Sequence, residues 1–173
     1  MALKHIIKHT ETEIVFKCYI TESAGGDIDL SLATDMTKST QVYVTPDSIP
    51  DETGGALVQY TGSRVSITGI WWGLKKDKQL DITRILNPTG PVLHSHYYLI
   101  NTGFYDFQNL GDFNDRVYAN KDIRLTFDGP GHCILRLRKE GWAPKVENET
   151  YGIYDDPTRI GASTTMSGSP DKV

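Results

Sequence analysis

The sequence predicts an all-β fold: a single antiparallel β-sandwich, jelly-roll-like, followed by an extended C-terminal arm. Composition is the first reason. The chain of 173 residues holds 59 residues of Thr, Ile, Val, Tyr, Phe and Trp against 30 of Ala, Leu, Glu and Met, a balance that favours strands over helices. Its 16 glycines and 8 prolines supply turns. Apolar residues alternate along short segments, and none of the longer segments carries an apolar stripe of helical period.

Strand-like segments recur at short intervals and are separated by clusters of turn residues. In several of these segments the apolar residues fall on alternate positions, which puts them on one face of a strand. Roughly eight to ten such strands in one domain indicate a two-sheet sandwich or jelly roll. The first seven predicted strands cover residues 12–21, 27–32, 40–45, 56–60, 64–74, 79–86 and 92–100.

The segment 64–74 is apolar on both faces in its later half, which is typical of a central or interface strand. Strict alternation places Ile67 and Trp71 on one face and Ile70 and Trp72 on the other. The segment therefore predicts a strand with one tryptophan directed inward and one directed outward.

The last two predicted strands lie on either side of the turn at residues 128–131. Residues 123–127 and 132–139 both alternate, so we predict a strand–turn–strand hairpin. After Trp142 the alternation stops and the final residues are rich in Gly, Ser and Thr. We therefore expect a sandwich domain over residues 1–142 and an extended arm over residues 143–173.

Charge and targeting signals limit the partners. With 18 Lys and Arg against 22 Asp and Glu, the net charge of −4 argues against nucleic acid. We interpret the one basic cluster, Arg136, Arg138 and Lys139, as a solvent-facing strand face. The N-terminus lacks the apolar core of a secretory signal, and no segment reaches membrane-spanning length, so we expect neither export nor a membrane partner.

Cys18 and Cys133 are far apart in the sequence and belong to no metal or redox motif. Because each lies among apolar residues at alternate positions, we interpret both as buried free thiols rather than a disulfide.

No motif predicts an enzyme or a cofactor, since the chain has no nucleophile elbow, phosphate-binding loop or dinucleotide-binding loop. The His94-Ser95-His96 sequence puts two imidazoles on one strand face, but no further ligand follows nearby, so we predict no metal site. The remaining cluster is aromatic and could stack on sugars or form core and interface. We favour core and interface for the aromatics Trp71, Trp72, Tyr97, Tyr98, Phe104, Tyr105 and Phe107.

Four segments, in this order and spacing, resemble a family of small virion structural proteins of tailed phages, of the T4-like type from marine bacteria and cyanobacteria. They are KHTETEIVFKCY at residues 8–19, GFYDFQN at 103–109, DIRLTFDGPGHCILRLRKEGW at 122–142 and YGIYDDPTRIG at 151–161. The resemblance implies a β-sandwich built into the virion, assembled in the host cytoplasm and without enzymatic activity. This chain departs from the family in longer, more polar stretches at residues 45–65 and 74–92, which we expect to be surface loops.

The resemblance, together with the lack of catalytic motifs, implies a head decoration or cement protein that binds other virion proteins and copies of itself through strands and terminal arms. Placement in the neck, tail or baseplate is the near alternative. A carbohydrate- or receptor-binding module that recognises host-surface glycans is the other. The predicted partner contacts are Trp72, Trp142, Tyr151, Ile153, Tyr154 and Ile160.

Overall fold

The computed structural model describes residues 1–43, 63–87, 89, 93–108 and 118–144. Within these ranges the chain forms strands and turns and no helix, which confirms the all-β prediction. It follows that no helix of the described part is long and apolar enough to cross a membrane. The chain divides into two units, Met1–Ala143 and Pro144–Val173, and every described residue except Pro144 belongs to the first unit.

The described strands are numbered in chain order. They are β1 (Ala2–His9), β2 (Glu13–Ile20), β3 (Gly26–Leu30), β4 (Gln41–Val42), β5 (Arg64–Leu74), β6 (Gln79–Ile85), β7 (Leu93–Ile100), β8 (Thr102–Asp106), β9 (Ile123–Phe127), β10 (Gly131–Glu140) and β11 (Ala143–Pro144).

Nine of these strands form two antiparallel sheets. Sheet A has the order β1-β2-β10-β5-β8, and sheet B has the order β3-β9-β6-β7, while β4 and β11 pair with each other. Buried residues from both sheets belong to one hydrophobic cluster, so the two inner faces share a single core. This arrangement is that of a β-sandwich.

The core is built from the alternating residues that the sequence pattern identifies. In β2, Ile14, Phe16, Cys18 and Ile20 are all buried. Cys18 lies directly across the sheet from Cys133 of β10, and both are free and buried. Burial raises the pKa of both thiols, as expected for a charge that would have to form in an apolar surrounding. The interpretation as buried free thiols is confirmed.

The predicted hairpin of residues 123–139 is wrong. The strand β9 lies in sheet B between β3 and β6, whereas β10 lies in sheet A between β2 and β5. The connection at residues 128–130 therefore crosses from one sheet to the other. Both strands bury their alternate residues in the same core from opposite sides. A hairpin within one sheet and a crossover between two sheets therefore give the same alternation in the sequence.

A β-bulge corrects the faces predicted for β5. The register with β10 shifts between Arg136 and Leu137, so Thr68 of β5 is the extra residue. As a result Ile67, Ile70 and Trp72 all face the core, and Trp71 faces outward. Strict alternation, which places Ile67 and Trp71 on one face, fails at this extra residue.

Three described strands, β1, β8 and β11, are absent from the sequence prediction, and β6, predicted as the strand 79–86, also lies within a stretch expected to be a surface loop. The strand β1 escapes recognition because its inward positions include Lys4, whose Nζ donates to the Asp29 carbonyl oxygen at 3.0 Å and to Asp35 Oδ2 at 2.7 Å. The strand β8 is short and largely exposed. Within the expected surface loop 74–92, β6 is an interior strand of sheet B. The predicted strand at 56–60 lies outside the described residues.

A fully buried arginine ties the two sheets together at one end of the core. Arg84 of β6 has no exposed surface, and its Nη1 donates to the Lys121 carbonyl oxygen at 2.6 Å. Its Nη2 donates to the Val65 carbonyl oxygen of sheet A, also at 2.6 Å. The buried charge is thus held by charge-assisted hydrogen bonds.

We predict that Arg84→Met destabilises the fold by about 3 kcal/mol, because two buried carbonyl oxygens lose charged donors. Chemical denaturation of the full chain measures this change. Arg124→Met is the matched control: Arg124 pairs with Asp27 and Asp29 at the surface, and the loss of such pairs costs about 1 kcal/mol or less. Equal losses of stability in the two variants would contradict the role assigned to Arg84.

Candidate functional site

The two sheets end on the same side of the domain in the edge strands β7 and β8. Only Asn101 separates these strands in the chain, with a φ of 58°, a left-handed conformation that Asn tolerates better than most residues. This tight connection carries the chain from sheet B to sheet A. It therefore sets residues of β7 beside residues of β8.

Four aromatic side chains meet at this side of the sandwich and form what we call the aromatic edge cluster: Trp72, Tyr97, Tyr105 and Phe107. The ring of Tyr105 lies 5.3 Å from that of Trp72, 5.8 Å from that of Tyr97 and 6.0 Å from that of Phe107, measured between centroids. These separations are typical of favourable aromatic pairs. The cluster runs from the core to the surface, since Tyr105 is 45% exposed.

Trp72 anchors the inner end of the aromatic edge cluster. Its indole Nε1 donates to the Ile100 carbonyl oxygen at 3.0 Å, which fixes the end of β7. The ring also occupies the space above Gly103, where an added Cβ would lie 2.6 Å from the Trp72 ring. Trp72 is therefore packed in the core at 8% exposure, and a partner that docks on this side meets other residues first.

The exposed apolar residues concentrate at the same edge. Among the described residues, eight large hydrophobic side chains are exposed, and five of them lie on β7 and β8. We call this group the edge surface: Leu93, Tyr98, Ile100, Phe104 and Tyr105. Isolated exposed apolar residues are ordinary, but a group of them on adjoining strands is typical of an interaction site. Sequence reasoning identified the aromatic members and missed Leu93 and Ile100.

Of the six predicted partner residues the structure describes two, Trp72 and Trp142, which lie near opposite ends of β5. Trp142 is half-buried, with its Nε1 donating to the Arg64 carbonyl oxygen at 3.2 Å and its ring 6.0 Å from Tyr43. Trp72 belongs to the aromatic edge cluster. The remaining four predicted contacts, Tyr151, Ile153, Tyr154 and Ile160, lie outside the described residues.

Lys139 corrects the interpretation of the basic cluster as one solvent-facing strand face. It shares the inward face of β10 with Leu137 and is only 5% exposed. Its Nζ donates to Gln41 Oε1, lies 3.1 Å from His9 Nε2 and sits 4.6 Å from the Trp142 ring centroid. Burial lowers the pKa of Lys139 to about 8.

His9 completes this polar cluster. Its Nε2 also lies 3.1 Å from the Met36 carbonyl oxygen, so it accepts from Lys139 when unprotonated or donates to Met36 when protonated. Burial, and secondly the charge of Lys139, lower the pKa of His9. The arrangement therefore favours a neutral imidazole in the folded protein.

The two candidate metal-binding histidines lie on β7. Their rings meet edge to face with centroids 5.1 Å apart, and His94 also contacts the ring of Tyr118 at 4.7 Å. Within the described part of the chain, no three His, Cys, Asp or Glu side chains converge on one point. The described neighbours of His94 and His96 thus offer aromatic contacts rather than a ligand set.

The polar cluster of Lys139 and His9 predicts that stability depends on pH in two ranges, one alkaline and one acidic. Between pH about 8 and 9 the unfolded chain binds the Lys139 proton more tightly than the folded one, so the free energy of unfolding rises with pH. Above about pH 9 the raised pKa values of the buried Cys18 and Cys133 thiols oppose this rise. Below pH 6.5, the ordinary pKa of histidine, His9 binds a proton more readily in the unfolded chain than in the folded one. The free energy of unfolding therefore falls as the solution becomes more acidic. Lys139→Met should abolish the alkaline rise in denaturation curves recorded across this range. An unchanged rise in that variant would contradict the assignment.

Comparison of the chain with protein-family models, with curated proteins and with solved structures gives no match. Its function must therefore be inferred from its own residues and contacts.

Proposed function

We propose that this chain is a non-enzymatic structural protein of a tailed-phage virion that acts as a head decoration or cement protein. It binds other virion proteins and copies of itself and resides in the assembled particle. The single observation that supports the proposal most strongly is the edge surface, where five exposed apolar side chains occupy two adjoining edge strands. Placement in the neck, tail or baseplate uses the same surface and is the alternative.

We also propose that the fold is a jelly roll with β1 as an additional edge strand. The order β2-β10-β5-β8 in one sheet and β3-β9-β6-β7 in the other pairs early strands of the chain with late ones. Eight strands wound in this way form two Greek keys, as in jelly rolls. Jelly rolls recur in viral capsid proteins and in lectins, so the fold is compatible with the proposal but does not select it.

The two edges of the sandwich differ in whether they allow a further strand to pair with them. At the β1 side, Lys4 points inward, Ile7 forms a bulge, and Lys8 pairs with Glu13. Inward charges and bulges are the devices that discourage edge-to-edge pairing. The β7–β8 side instead offers aromatic and aliphatic side chains such as Tyr98 and Phe104. A partner is therefore proposed to dock at the β7–β8 side.

The C-terminal arm supplies the second contact in this proposal. Residues 143–173 lose the alternation of the domain, and the apolar residues Tyr151, Ile153, Tyr154 and Ile160 are spaced along them as anchors. An arm that orders only on a neighbouring subunit adds contact area and loses conformational entropy in binding. Assembly is then expected to need both the edge surface and the arm.

We predict that the double variant Tyr98→Ser/Ile100→Ser keeps its fold and weakens incorporation into particles by about 100-fold, since two buried apolar side chains contribute about 1.5–3 kcal/mol each to a contact. Occupancy is measured by quantitative mass spectrometry of particles assembled with the variant. Ile7→Ser, an exposed apolar residue of the opposite edge, is the matched control and should leave occupancy unchanged. Wild-type occupancy of the double variant would exclude the edge surface as the assembly contact.

We predict that deletion of residues 150–173 leaves a folded, soluble domain that no longer joins its assembly. Circular dichroism and thermal melting test the fold, and particle occupancy tests the assembly. Normal occupancy of the truncated chain would show that the arm is dispensable.

A further inference from the structure

The outward face of sheet A carries a tryptophan that lies along the sheet. Trp71 of β5 is half-buried and is directly paired with Ile134 of β10 on one side and Phe104 of β8 on the other. Its ring extends over Gly69, where an added Cβ would lie 2.6 Å from Cη2 and 2.7 Å from Cζ3. Because Gly69 has no side chain, the indole can lie down on the sheet instead of projecting from it.

An arginine side chain reaches across β5 above Gly69. Arg136 of β10 and Asp106 of β8 both pair with Gly69, and Arg136 Nη2 reaches Asp106 Oδ1 at 2.7 Å. Two further hydrogen bonds hold the guanidinium: Nε donates to Thr68 Oγ1 at 3.1 Å and Nη2 donates to the Thr68 carbonyl oxygen at 2.9 Å. The guanidinium carbon lies 5.3 Å from the centroid of the Trp71 ring. The arginine of this pair thus lies over part of the indole.

This fixed pair keeps hydrogen-bonding capacity to spare. Among the described residues, no acceptor is engaged by Arg136 Nη1 and no donor by Asp106 Oδ2, and Trp71 Nε1 donates to none of them. The backbone N–H of Gln108, followed by Arg136, lowers the pKa of Asp106, so the carboxylate is charged at neutral pH. Among the described residues, a donor and an acceptor therefore remain unengaged on the ion pair that contacts the indole.

We propose that Trp71, Arg136 and Asp106 form a binding site for a pyranose sugar. The C–H face of a pyranose is apolar and packs on an aromatic ring, while two neighbouring hydroxyl groups each need a donor and an acceptor. Arg136 Nη1 and Asp106 Oδ2, which no described residue engages, supply that combination on the ion pair that contacts the indole. Phe104, which is 67% exposed and paired with Trp71, extends the ring surface toward a second sugar unit.

A sugar suits this site better than an apolar protein surface does. An apolar partner would bury the remaining donor on Arg136 and the remaining acceptor on Asp106 without a hydrogen bond, which costs free energy for each group. A polyhydroxylated ring satisfies both groups and covers the indole at once. The site shares Phe104 with the edge surface, but Trp71, Arg136 and Asp106 lie in sheet A and are not changed in the Tyr98 and Ile100 variant of sheet B, so the two tests are distinguishable.

The three tryptophans allow a site-specific test on the full chain. The indole N–H groups of Trp72 and Trp142 already donate to carbonyl oxygens, whereas that of Trp71 donates to no described residue. We expect cellohexaose, maltohexaose, N-acetylchitohexaose or oligogalacturonate to shift the Trp71 indole resonance in ¹⁵N–¹H spectra, saturably and with a Kd of about 1 mM or tighter. The neutral and the acidic oligomers distinguish recognition of hydroxyl groups from recognition of charge.

Two variants test the geometry. Trp71→Ala should weaken binding at least about tenfold, since it removes the stacking ring. Gly69→Ala keeps every contacting group but displaces the indole, so it should weaken binding as well, in a protein whose melting temperature confirms that it is folded. Tyr98→Ala, an exposed ring of sheet B, is the matched control and should bind as the wild type does.

Three outcomes would overturn the proposal. The first is the absence of a saturable shift with any of the four oligomers at about 10 mM, well above the expected Kd. The second is binding that survives in Trp71→Ala. The third is a Trp71 shift that depends on protein concentration instead of sugar, which would show that a second copy of the chain covers the ring.

Discussion

The insertion of β10 between β2 and β5 is the constraint on which the rest of the sandwich depends. In this central position Cys133, Leu135 and Leu137 are completely buried, and each pairs with an inward residue of both neighbours. Without β10, sheet A would separate into β1–β2 and β5–β8. The strand comes late in the chain, so the core closes only when residues far apart in sequence have met. Such non-local pairing costs loop entropy before it is stabilised by burial.

One irregularity in this central pairing determines how two adjacent tryptophans are used. The bulge at Thr68 shifts β5 relative to β10, so that Trp72 points into the core while Trp71 lies on the outer face. The inner ring then holds the ends of β7 and β8 through Ile100 and Gly103. The outer ring lies against the Arg136–Asp106 pair. A single extra residue thus decides that Trp72 has the structural role and Trp71 the proposed sugar site, which fits the occurrence of bulges near functional sites.

The two edges of the sandwich differ in how well they are protected from pairing and in the side chains they expose. The β1 side ends in a strand with an inward lysine that bonds across to sheet B, and this contact protects the edge. The β7–β8 side ends in exposed rings and aliphatic groups around a one-residue connection at Asn101. A domain built to add to a larger assembly needs one edge that resists pairing and one surface that accepts a partner. This inequality is the physical basis of the proposed assembly role.

The sequence by itself determined the all-β class, the buried alternation of β2 and β10, the free thiols of Cys18 and Cys133 and most strand positions. It did not decide the partners of those strands, and it wrongly paired residues 123–127 with residues 132–139. Nor did it show that Lys139 faces inward or that a bulge at Thr68 makes Trp72, and not Trp71, the tryptophan on the core face of Ile67. The physical reason is that alternation reports which side chains are buried. Only the tertiary structure decides which sheet buries them, because the two inner faces of a sandwich present the same apolar surface to the chain.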